Sequence, residues 1–441
     1  MNASHIRVGV LGNVDAGKTT LIGTLVSSTL DNGKGSSRSQ VVKHKHEKET
    51  GRTSTVSQHL IGFDADGKVL TTTSDAEMAE RSSRVVSLMD LAGHEKYFKT
   101  TVAGLSMGMA DYALVLVNSA QPPTHMTMHH IRLCATCGIP VILVMTKADS
   151  CPSHVFQHCK KQLIEKLRAS DIGKRQYAIK NEKDIETVQD KLHSLVPLLT
   201  ISCVTGEGLD LLKKLLFTLP KRRHHENKRA NRPFEFLIED VFNIKGVGTV
   251  ISGFVNAGEF HKCTSGPIHI GPLPNGTYIK AMVRSIQVCR VDVDHVYAGH
   301  SACFALSSVS KIQRMAICKG MVALKELPNP AVVKAFKAEI CMLRGEPVTV
   351  MKGKYHATAH ILHLKKAVKV IDIENSNPAN VGAMGGYPED RASVLRPGDR
   401  AIVTFRVVNG TIYVRKGMRI ILRDGPIRAI GMITETATPY Y

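Results

Sequence analysis

The sequence predicts a multidomain protein in which an α/β domain is followed by two antiparallel β-barrels. Its 441 residues are too many for one ordinary hydrophobic core. From residue 6 to about residue 219, apolar strand-like runs alternate with amphipathic segments. Beyond a charged run at 221–229, apolar residues recur with a period of two. We therefore expect the α/β domain at 1–222 and the barrels at 223–327 and 328–441.

Apolar patterning predicts the strands and helices of the first domain. Several runs are apolar at almost every position, which is typical of a parallel sheet covered on both faces. TTLIGTLVSS (19–28) instead places Leu21 and Leu25 at helical spacing, so it predicts a helix between strands. This alternation indicates a doubly wound α/β domain. The predicted strands are IRVGVLG, VVSLMDLA, YALVLVNS, PVILVMTKAD and LVPLLTIS.

Alternating apolar residues predict the strands of the two barrels. In FEFLIEDVF, Phe234, Phe236 and Ile238 share one face. FKAEICML and AIVTFRVV alternate in the same way, and turn-forming sequences such as GPLPNGT and RPGDR separate the runs. LPNPAVV (327–333) predicts the boundary between the barrels.

Composition and charge narrow the range of partners. The net charge of +20 favours a polyanion such as RNA over an acidic membrane surface, and the alternative is a solvated basic surface without a specific partner.

No apolar run approaches the roughly 18 residues of a membrane span. The N-terminal residues lead straight into a motif, so we expect no signal peptide. Ten scattered cysteines without a disulfide framework indicate free thiols in the cytosol.

Residues 12–19, GNVDAGKT, fit the phosphate-binding pattern G-x-x-x-x-G-K-[ST] between a predicted strand and a predicted helix. Gly12 and Gly17 allow backbone amides to close around phosphate oxygens at a helix N-terminus, where the helix dipole favours anions. Lys18 would supply a positive charge to the β- and γ-phosphates, and Thr19 a hydroxyl ligand for Mg²⁺. The sequence therefore predicts a nucleotide-binding P-loop.

Two further motifs follow later predicted strands. In VVSLMDLAGHE, Asp90 is suited to hold Mg²⁺ through water, and the Gly93 N–H to meet a γ-phosphate. In VILVMTKAD, Asp149 is suited to pair with the two N–H donors of guanine while Lys147 lies along the base. Sheets of this kind bind ligands at the carboxyl ends of their strands, which is where both motifs lie.

A fourth motif, ISCVTGEG, offers residues 202–204 to the O6 side of guanine. Each motif is weak alone, but the four in this order, each after a predicted strand, indicate GTP rather than ATP. The predicted nucleotide-binding residues are Gly12, Asn13, Val14, Asp15, Ala16, Gly17, Lys18, Thr19, Thr20, Asp90, Gly93, Thr146, Lys147, Asp149, Ser202, Cys203 and Val204.

The motifs resemble those of the translational GTPases of the elongation factor Tu and elongation factor 1-alpha class, and in particular those of the GTP-binding protein 1 and 2 family. The resemblance rests on GNVDAGKTT, DLAGHEKYFKTT, TKAD and SCVTGEGLD, and that family also has GRTS in its first switch. It continues through GVGTVISG and IQRMAICKGMVAL, and through LRPGDRAIVTFR and KGMRIILRDGPIRAIGMI. It implies a P-loop GTPase domain followed by two antiparallel β-barrels.

The resemblance assigns roles to further residues. His94 matches the His that orients the attacking water, and Asp15 matches a P-loop Asp thought to help bind a monovalent cation. Thr53, in GRTSTVS (51–57), matches the Thr that completes Mg²⁺ coordination only when a γ-phosphate is present. The polar stretch 31–50 has almost no apolar residues to bury, which is typical of a segment that a ligand orders and hydrolysis releases.

Several residues depart from the pattern of the wider class. Thr146 replaces the more usual Asn of N-K-x-D, which removes an amide and leaves a hydroxyl for base contact. Asp149 still specifies guanine, so we expect an effect on affinity rather than on base identity. Ala92 replaces the Pro of D-x-P-G and Cys203 a common Ala, and we expect both changes to have little effect.

Arg52 stands where elongation factor Tu has an apolar residue, one wing of a hydrophobic gate before the His, whereas the other wing, Val14, is kept. Two interpretations of Arg52 remain open. In the first, Arg52 acts as an arginine finger in cis that neutralises transition-state charge. In the second, which we favour, it is exposed or forms a surface ion pair with Glu47 or Glu49, of the kind that contributes little energy.

The resemblance implies a GTP-hydrolysing switch, binding Mg²⁺ and GTP or GDP, that holds aminoacyl-tRNA or the ribosome and releases it after hydrolysis. The second domain would receive the tRNA acceptor end near GVGTVISG (246–253). The alternative is a GTP-controlled adaptor in RNA surveillance, RNA decay or assembly that delivers no aminoacyl-tRNA. A selenocysteine-specific factor is less favoured, since the chain ends soon after the third domain. We expect a cytoplasmic monomer without membrane association.

Overall fold

The computed structural model divides the chain into two compact units, Met1–Arg222 and Arg223–Tyr441. The first unit contains the α/β domain and the second contains both barrels. The residues that the structure describes are 4–42, 57–71, 75–91, 93, 105, 110–168, 174–220, 232–288, 290–327, 329, 332–342, 350–362, 364–375, 394–424 and 427–437.

An eight-stranded sheet forms the centre of the first unit. In chain order its strands are β1 (Ser4–Gly12), β2 (Ser57–Phe63), β3 (Val69–Leu70), β4 (Arg84–Asp90), β5 (Tyr112–Asn118), β6 (Val141–Thr146), β7 (Arg175–Ala178) and β8 (Leu195–Thr200). Their order across the sheet is β3-β2-β4-β1-β5-β6-β8-β7. The five strands predicted from apolar runs correspond to β1, β4, β5, β6 and β8, so the α/β domain is confirmed.

Within the described residues, the helices of the first unit lie between these strands along the chain, except for the last helix, which follows β8. They are α1 (Lys18–Ser27), α2 (Ser36–Val41), α3 (Asp75–Arg81), α4 (His125–Thr136), α5 (Ser153–Arg168), α6 (Glu182–Gln189) and α7 (Leu209–Thr218), with a 3₁₀ turn at Ala148–Ser150.

The sheet is mixed rather than wholly parallel. Six strands run parallel, from β4 through β1, β5, β6 and β8 to β7. At one edge β2 runs antiparallel to β4, and β3 antiparallel to β2. An antiparallel edge strand needs no crossover helix, and β2 still buries Ile61 and Phe63 against the core.

One face of the central strand supplies the main core of the first unit. Ile6, Val8 and Val10 alternate along β1 and are fully buried. They belong to one cluster with Leu21 and Leu25 of the predicted helix α1 and with the apolar face of α7. This packing fixes the carboxyl end of β1 relative to the start of α1, which is where the P-loop lies.

The first barrel of the second unit closes through six strands. Its elements are β9 (Glu235–Ile244), β10 (Gly248–Ala257), β11 (Glu259–His261), β12 (Ile268–Gly271), β13 (Ile279–Val288), β14 (Val291–Val293), β15 (His295–Tyr297), β16 (Ser301–Ser307), α8 (Lys311–Ala316) and β17 (Val322–Leu324). The order β12-β17-β9-β10-β16-β13 returns to β12 through a β12–β13 pairing. Phe234, Phe236 and Ile238 all point into its core, as their alternation predicted.

The second barrel is also closed and antiparallel. Its strands are β18 (Ala335–Met342), β19 (Val350–Met351), β20 (His356–Ile361), β21 (Leu364–Asn375), β22 (Val394–Leu395), β23 (Arg400–Val407), β24 (Arg419–Arg423) and β25 (Ile427–Ala437). The closed order is β18-β23-β21-β20-β24-β25. Phe336 lies opposite Phe405 with ring centroids 5.5 Å apart in the core. The predicted pair of antiparallel barrels is therefore confirmed.

A buried carboxylate joins the two barrels within the second unit. Glu235, at the start of β9, is 3% exposed. It accepts hydrogen bonds from Arg415 Nε at 2.9 Å and from the Tyr413 hydroxyl at 3.0 Å, both in the second barrel. Asn256 of the first barrel also donates to it. Burial and the neighbouring carboxylate raise the pKa of Tyr413, so this hydroxyl remains a donor to Glu235.

None of the helices within the described ranges is both long enough and apolar enough to cross a membrane.

Candidate nucleotide-binding site

The predicted P-loop connects the central strand to the first helix. β1 ends at Gly12 and α1 begins at Lys18. Asp15 and Gly17 have positive φ values of 61° and 81°, and the Ala16 N–H donates to Asn13 O at 3.3 Å to close the turn. The backbone N–H groups at the start of α1 therefore face the sheet edge, where the helix dipole favours an anion.

The side chain of Lys18 lies across this loop. Its Nζ donates to Gly12 O at 3.1 Å and to Asn13 O at 2.9 Å, and the residue is only 7% exposed. Burial lowers the pKa of Lys18, and the carboxylates of Asp90 and Asp15 partly oppose that effect. A buried ammonium is stabilised by a neighbouring anion, so the loop is suited to receive phosphate oxygens.

The loop after β4 approaches the P-loop at Gly93. A Cβ atom at this position would lie 2.5 Å from Gly12 O and would also meet the Lys18 ammonium. Only glycine allows the two loops to come this close. Gly93 and the P-loop therefore border the same space, as the prediction of a shared γ-phosphate site requires.

A hydroxyl and a carboxylate meet beside this space. Thr19 Oγ1, in the first turn of α1, donates to Asp90 Oδ2 at 2.7 Å. Asp90 is the last residue of β4 and is 1% exposed. Hydroxyl and carboxylate oxygens are hard ligands of the kind that Mg²⁺ prefers, so these two residues fit the ion.

The third and fourth motifs meet at the other end of the site. The Ser202 hydroxyl donates to Asp149 Oδ1 at 2.6 Å and accepts hydrogen bonds from Val204 N at 3.1 Å and Thr205 N at 3.0 Å. Lys147 has left-handed backbone angles, which turn the chain into the 3₁₀ segment that carries Asp149. The loop after β8 therefore holds one oxygen of the carboxylate that was predicted to read guanine.

Comparison with known proteins agrees with this geometry. Residues 3–221 match the family model of the elongation factor Tu GTP binding domain. GTP-binding protein 2 of Mus musculus and that of Homo sapiens are each 31% identical to the chain over 439 residues, which are 98% of this chain and 69% of theirs. The chain belongs to the GTP-binding protein 1 and 2 family.

GTP-binding protein 1 of Xenopus laevis is 35% identical over 440 residues, which are 98% of this chain and 63% of that protein. The chain therefore spans less than two thirds of the length of this relative.

Solved structures share the fold at lower identity. A bacterial selenocysteine-specific elongation factor, EF-Sec, superimposes with a TM-score of 0.67 at 20% identity, over 97% of this chain and 58% of that one. Translation elongation factor SelB from Methanococcus maripaludis, in its apo form, gives a TM-score of 0.65 at 19% identity, over 100% of this chain and 81% of that one. At these identities the likeness concerns the three-domain fold alone.

The Thr in the T-K-x-D motif of this family member binds the P-loop. Thr146 is 2% exposed, and its hydroxyl donates to Ala16 O at 2.9 Å, with Val117 O farther away at 3.4 Å. We expected this hydroxyl to be available for base contact. Its single proton is instead directed at the P-loop backbone, so Thr146 connects the T-K-x-D segment with the P-loop.

All seventeen predicted nucleotide-binding residues lie in the described ranges, in four segments: the P-loop with the start of α1, the end of β4 with its loop, the end of β6 with its loop, and the loop after β8. The contacts form a series: Gly93 approaches the P-loop, Thr19 bonds to Asp90, Thr146 bonds to Ala16, and Ser202 bonds to Asp149. The strands before these loops run parallel, so all four loops emerge at the same edge of the sheet.

Other predicted residues lie outside the described ranges. These are His94, Thr53, Arg52, Glu47, Glu49 and Ala92. The structure does describe Ser57, the last residue of GRTSTVS, which pairs with Asp90 across the antiparallel β2–β4 ladder. Ser57 therefore lies in the sheet directly beside the predicted Mg²⁺ ligand.

The sequence did not predict the contacts that residues 28–42 make with the site. Asp31 N donates to Cys203 O at 2.8 Å, and the residue itself is 7% exposed. Burial raises the pKa of Cys203 to about 11, with the Thr24 hydroxyl opposing the shift. We expected the whole stretch 31–50 to need a ligand for order. Residues 31–42 instead form a folded turn and helix α2, and the only sequence signal was the turn-forming run DNGKGSS.

Proposed function

We propose that this chain is a GTP-hydrolysing molecular switch that uses Mg²⁺. The observation that carries the proposal is the series of contacts among four loops at one sheet edge. An ammonium, Lys18, marks one end of that series and a carboxylate, Asp149, marks the other. A cationic phosphate end and a base end that accepts N–H donors together fit a guanine nucleotide.

In this proposal each group has one task. Lys18 and the backbone amides of the P-loop bind the β- and γ-phosphates, Thr19 and Asp90 hold Mg²⁺, Asp90 through water, and Asp149 accepts the two N–H donors of guanine. Mg²⁺ held by these residues would neutralise charge that develops on the transferred phosphoryl group. His94 orients the attacking water. Phosphoryl transfer needs mainly positioning and charge stabilisation, which this set of groups supplies.

Thr53 would make the conformation of its segment depend on the γ-phosphate, because it would complete Mg²⁺ coordination only when that phosphate is present. The pairing of Ser57 with Asp90 supports this role, because Thr53 lies only four residues before Ser57. Four extended residues span at most about 14 Å. Loss of the γ-phosphate would remove a ligand of this segment and release it, which is a common way for GTPases to switch.

The partner that we propose is aminoacyl-tRNA or the ribosome. Arg223–Tyr441 contains 30 Lys and Arg against 17 Asp and Glu, and therefore +13 of the net charge of +20. Neutralisation of phosphates supplies most of the sequence-independent affinity for RNA, so this excess supports an RNA partner for the barrel unit. The names of the structural neighbours, which are elongation factors, support a partner in translation.

Exposed apolar side chains support the first barrel as the site for the tRNA acceptor end. Phe242 and Ile244 on β9 are 48% and 46% exposed, and Met282 on β13 is 43% exposed. Phe242 lies opposite Val250 of GVGTVISG, and Arg284 donates to the Val247 carbonyl in the same hairpin. Apolar side chains beside a guanidinium suit an unpaired terminal base and its phosphate.

The decisive experiment measures GTP hydrolysis with and without ribosomes and aminoacyl-tRNA. We expect ribosomes to stimulate turnover, and we expect the GTP-loaded protein to slow spontaneous hydrolysis of the aminoacyl ester. Stimulation without ester protection would favour the alternative, a GTP-controlled adaptor in RNA surveillance, RNA decay or assembly. Absence of GTP binding would overturn both forms of the proposal.

We also propose a cytoplasmic monomer. Each of the nine described cysteines is a free thiol, which supports a reducing compartment. Light scattering of the purified protein and fractionation of cells would test the two statements. A stable dimer, or recovery with membranes, would contradict them.

A further inference from the structure

A compact turn follows helix α1 and is organised by one carboxylate. Asp31 Oδ2 accepts hydrogen bonds from Gly33 N at 2.9 Å and Gly35 N at 3.1 Å. Asp31 Oδ1 accepts from Ser37 N at 3.0 Å and from the Ser36 hydroxyl at 3.3 Å. We call residues 30–37 the Asp31 bracket. One side chain closes the entire turn and leads it into α2.

The carboxylate keeps its charge in this turn. Burial on its own would raise the pKa of Asp31, but the N–H groups of Ser37, Gly35 and Gly33 outweigh it, so the pKa is lowered. Hydrogen bonds to an ionised acceptor are stronger than those between neutral groups. The bracket is therefore a stiff element at neutral pH, although it is short and largely polar.

The far end of the bracket is clamped against α1. A Cβ atom at Gly23 would collide with the Ser37 carbonyl, so α1 and the start of α2 are in backbone contact. Ser37 itself is 1% exposed. Since α1 also carries Lys18 and Thr19, the bracket and the phosphate end of the site share one rigid support.

The near end of the bracket holds the loop that follows β8. Asp31 N donates to Cys203 O at 2.8 Å. Leu30 is 51% exposed, yet it covers Gly206, where a Cβ atom would lie 3.4 Å from Leu30 Cδ2. Ser202 in the same loop holds Asp149 at 2.6 Å. Two contacts therefore connect the bracket with the carboxylate that reads the base: Asp31 N bonds to Cys203 O, and Ser202 of the same loop bonds to Asp149.

We propose that Asp31 is a positioning residue that sets the lifetime of bound guanine nucleotide. It keeps the bracket folded, the bracket keeps residues 202–206 in place, and that loop keeps Asp149 aimed at the base. Asp31 touches neither base nor phosphate in this scheme. The inference rests on the proposed binding of guanine nucleotide and names a determinant of that same site.

The test compares the release of fluorescent mant-GDP from the full chain and three variants. Asp31→Ala removes all four hydrogen bonds that the carboxylate accepts. We expect mant-GDP release about tenfold faster, since a tenfold change in rate corresponds to the free energy of roughly one hydrogen bond to a charged group. Asp31→Asn keeps one acceptor oxygen, so its rate of mant-GDP release should lie between those of wild type and Asp31→Ala. Leu30→Ala removes an exposed side chain without risk to the core, and we expect release roughly twofold to threefold faster.

The matched control is Asp64→Ala. Asp64 Oδ1 also organises a turn, by accepting from Asp66 N at 2.9 Å and Lys68 N at 2.8 Å, but that turn lies between β2 and β3. We expect release from this variant to equal that from wild type. Asp31→Ala should also raise the GTP concentration for half-saturation, while single-turnover hydrolysis by protein already loaded with GTP changes less than about twofold, since Asp31 does not contact the phosphate end.

The possible outcomes separate the two proposals. Wild-type protein that retains no mant-GDP would overturn GTP binding, and the bracket inference with it. Wild-type protein that retains mant-GDP, together with Asp31 and Leu30 variants that release it at the wild-type rate, would overturn the bracket alone. Equal acceleration in the Asp64 variant would show a general loss of stability and would likewise overturn it.

Discussion

At the residue scale, Asp149 is the residue that we propose reads the base. Ser202 orients its carboxylate, which can accept two N–H donors at once. Asp149→Asn replaces one acceptor by a donor, so it matches xanthine better than guanine. We expect GTP affinity to fall at least about tenfold and the affinity for xanthosine triphosphate to rise. Equilibrium titration with both nucleotides measures this, and a variant that still prefers GTP would show that the base is read elsewhere.

His94 is the residue to which we assign the attacking water. His94→Ala should lower GTP hydrolysis by at least about tenfold, because a positioned group that handles the water contributes that much or more. Nucleotide affinity should be unchanged. Single-turnover hydrolysis and nucleotide titration on the same preparation separate the two effects. Normal ribosome-stimulated turnover in the variant would remove the assigned role.

Thr146 has a role that residue identity alone did not reveal. Thr146→Val keeps the shape but leaves the Ala16 carbonyl, in a residue that is 1% exposed, without this donor. We expect about tenfold weaker GTP binding, since an unsatisfied buried acceptor costs about 1–3 kcal/mol. Thr146→Ser keeps the hydroxyl and should bind almost normally. A changed preference for GTP over xanthosine triphosphate in Thr146→Val would contradict a role through the bond to Ala16 and favour direct contact of Thr146 with the base.

At the scale of elements, helix α4 carries a buried histidine that makes the first unit sensitive to acid. His130 is fully buried, and burial lowers its pKa to about 3, with Lys18 and His129 acting in the same direction. The folded state thus keeps the imidazole neutral, while the unfolded state gains a proton as the pH falls below about 6.5. The contribution of the neutral His130 to the free energy of unfolding is fully present above about pH 6.5 and is lost progressively down to about pH 3.

The variant His130→Met isolates this contribution. Between pH 7 and pH 5.5, wild-type protein should lose about 1 kcal/mol more free energy of unfolding than the variant, because one pKa unit corresponds to about 1.4 kcal/mol. Urea denaturation at the two pH values measures the difference. Equal losses in both proteins would mean that His130 is protonated in the folded state.

The elements also differ in how far the sequence predicts them. Helix α1 and strands β1, β4, β5, β6 and β8 have enough apolar residues in regular positions to be recognised locally. Helix α2, SSRSQV, buries only Ser37 and Val41, and no periodic signal marks it. It exists because Gly23 of α1 admits its backbone, which is a tertiary contact, and because Asp31 closes the turn before it, which periodicity does not reveal.

At the scale of the whole molecule, the buried Glu235 holds two barrels together. Glu235→Ala would leave the Arg415 guanidinium and the Tyr413 hydroxyl facing a buried space without their acceptor. We expect a loss of about 3–5 kcal/mol in the stability of the barrel unit, as for other buried pairs that lose one partner. Urea denaturation of the full chain measures it.

The control for Glu235 is an exposed ion pair in the second barrel. Lys337 and Glu374 lie 2.8 Å apart, and both side chains are at least one third exposed. Glu374→Gln should change stability by less than about 1 kcal/mol, since surface pairs contribute little. An equal effect of the two substitutions would contradict the view that the junction depends on a buried network.

The sequence by itself determined the fold class, the guanine-nucleotide motifs and their order along the chain. These features are local: an apolar run, a glycine in a tight turn, or a charged residue at a strand end is written within a few consecutive residues. Only the tertiary structure decided which distant groups meet. Thr146 bonds to Ala16 across 130 residues, and Arg415 bonds to Glu235 across 180. Such contacts depend on the path and register of the whole chain, because a donor and its acceptor so far apart leave no mark in either neighbourhood.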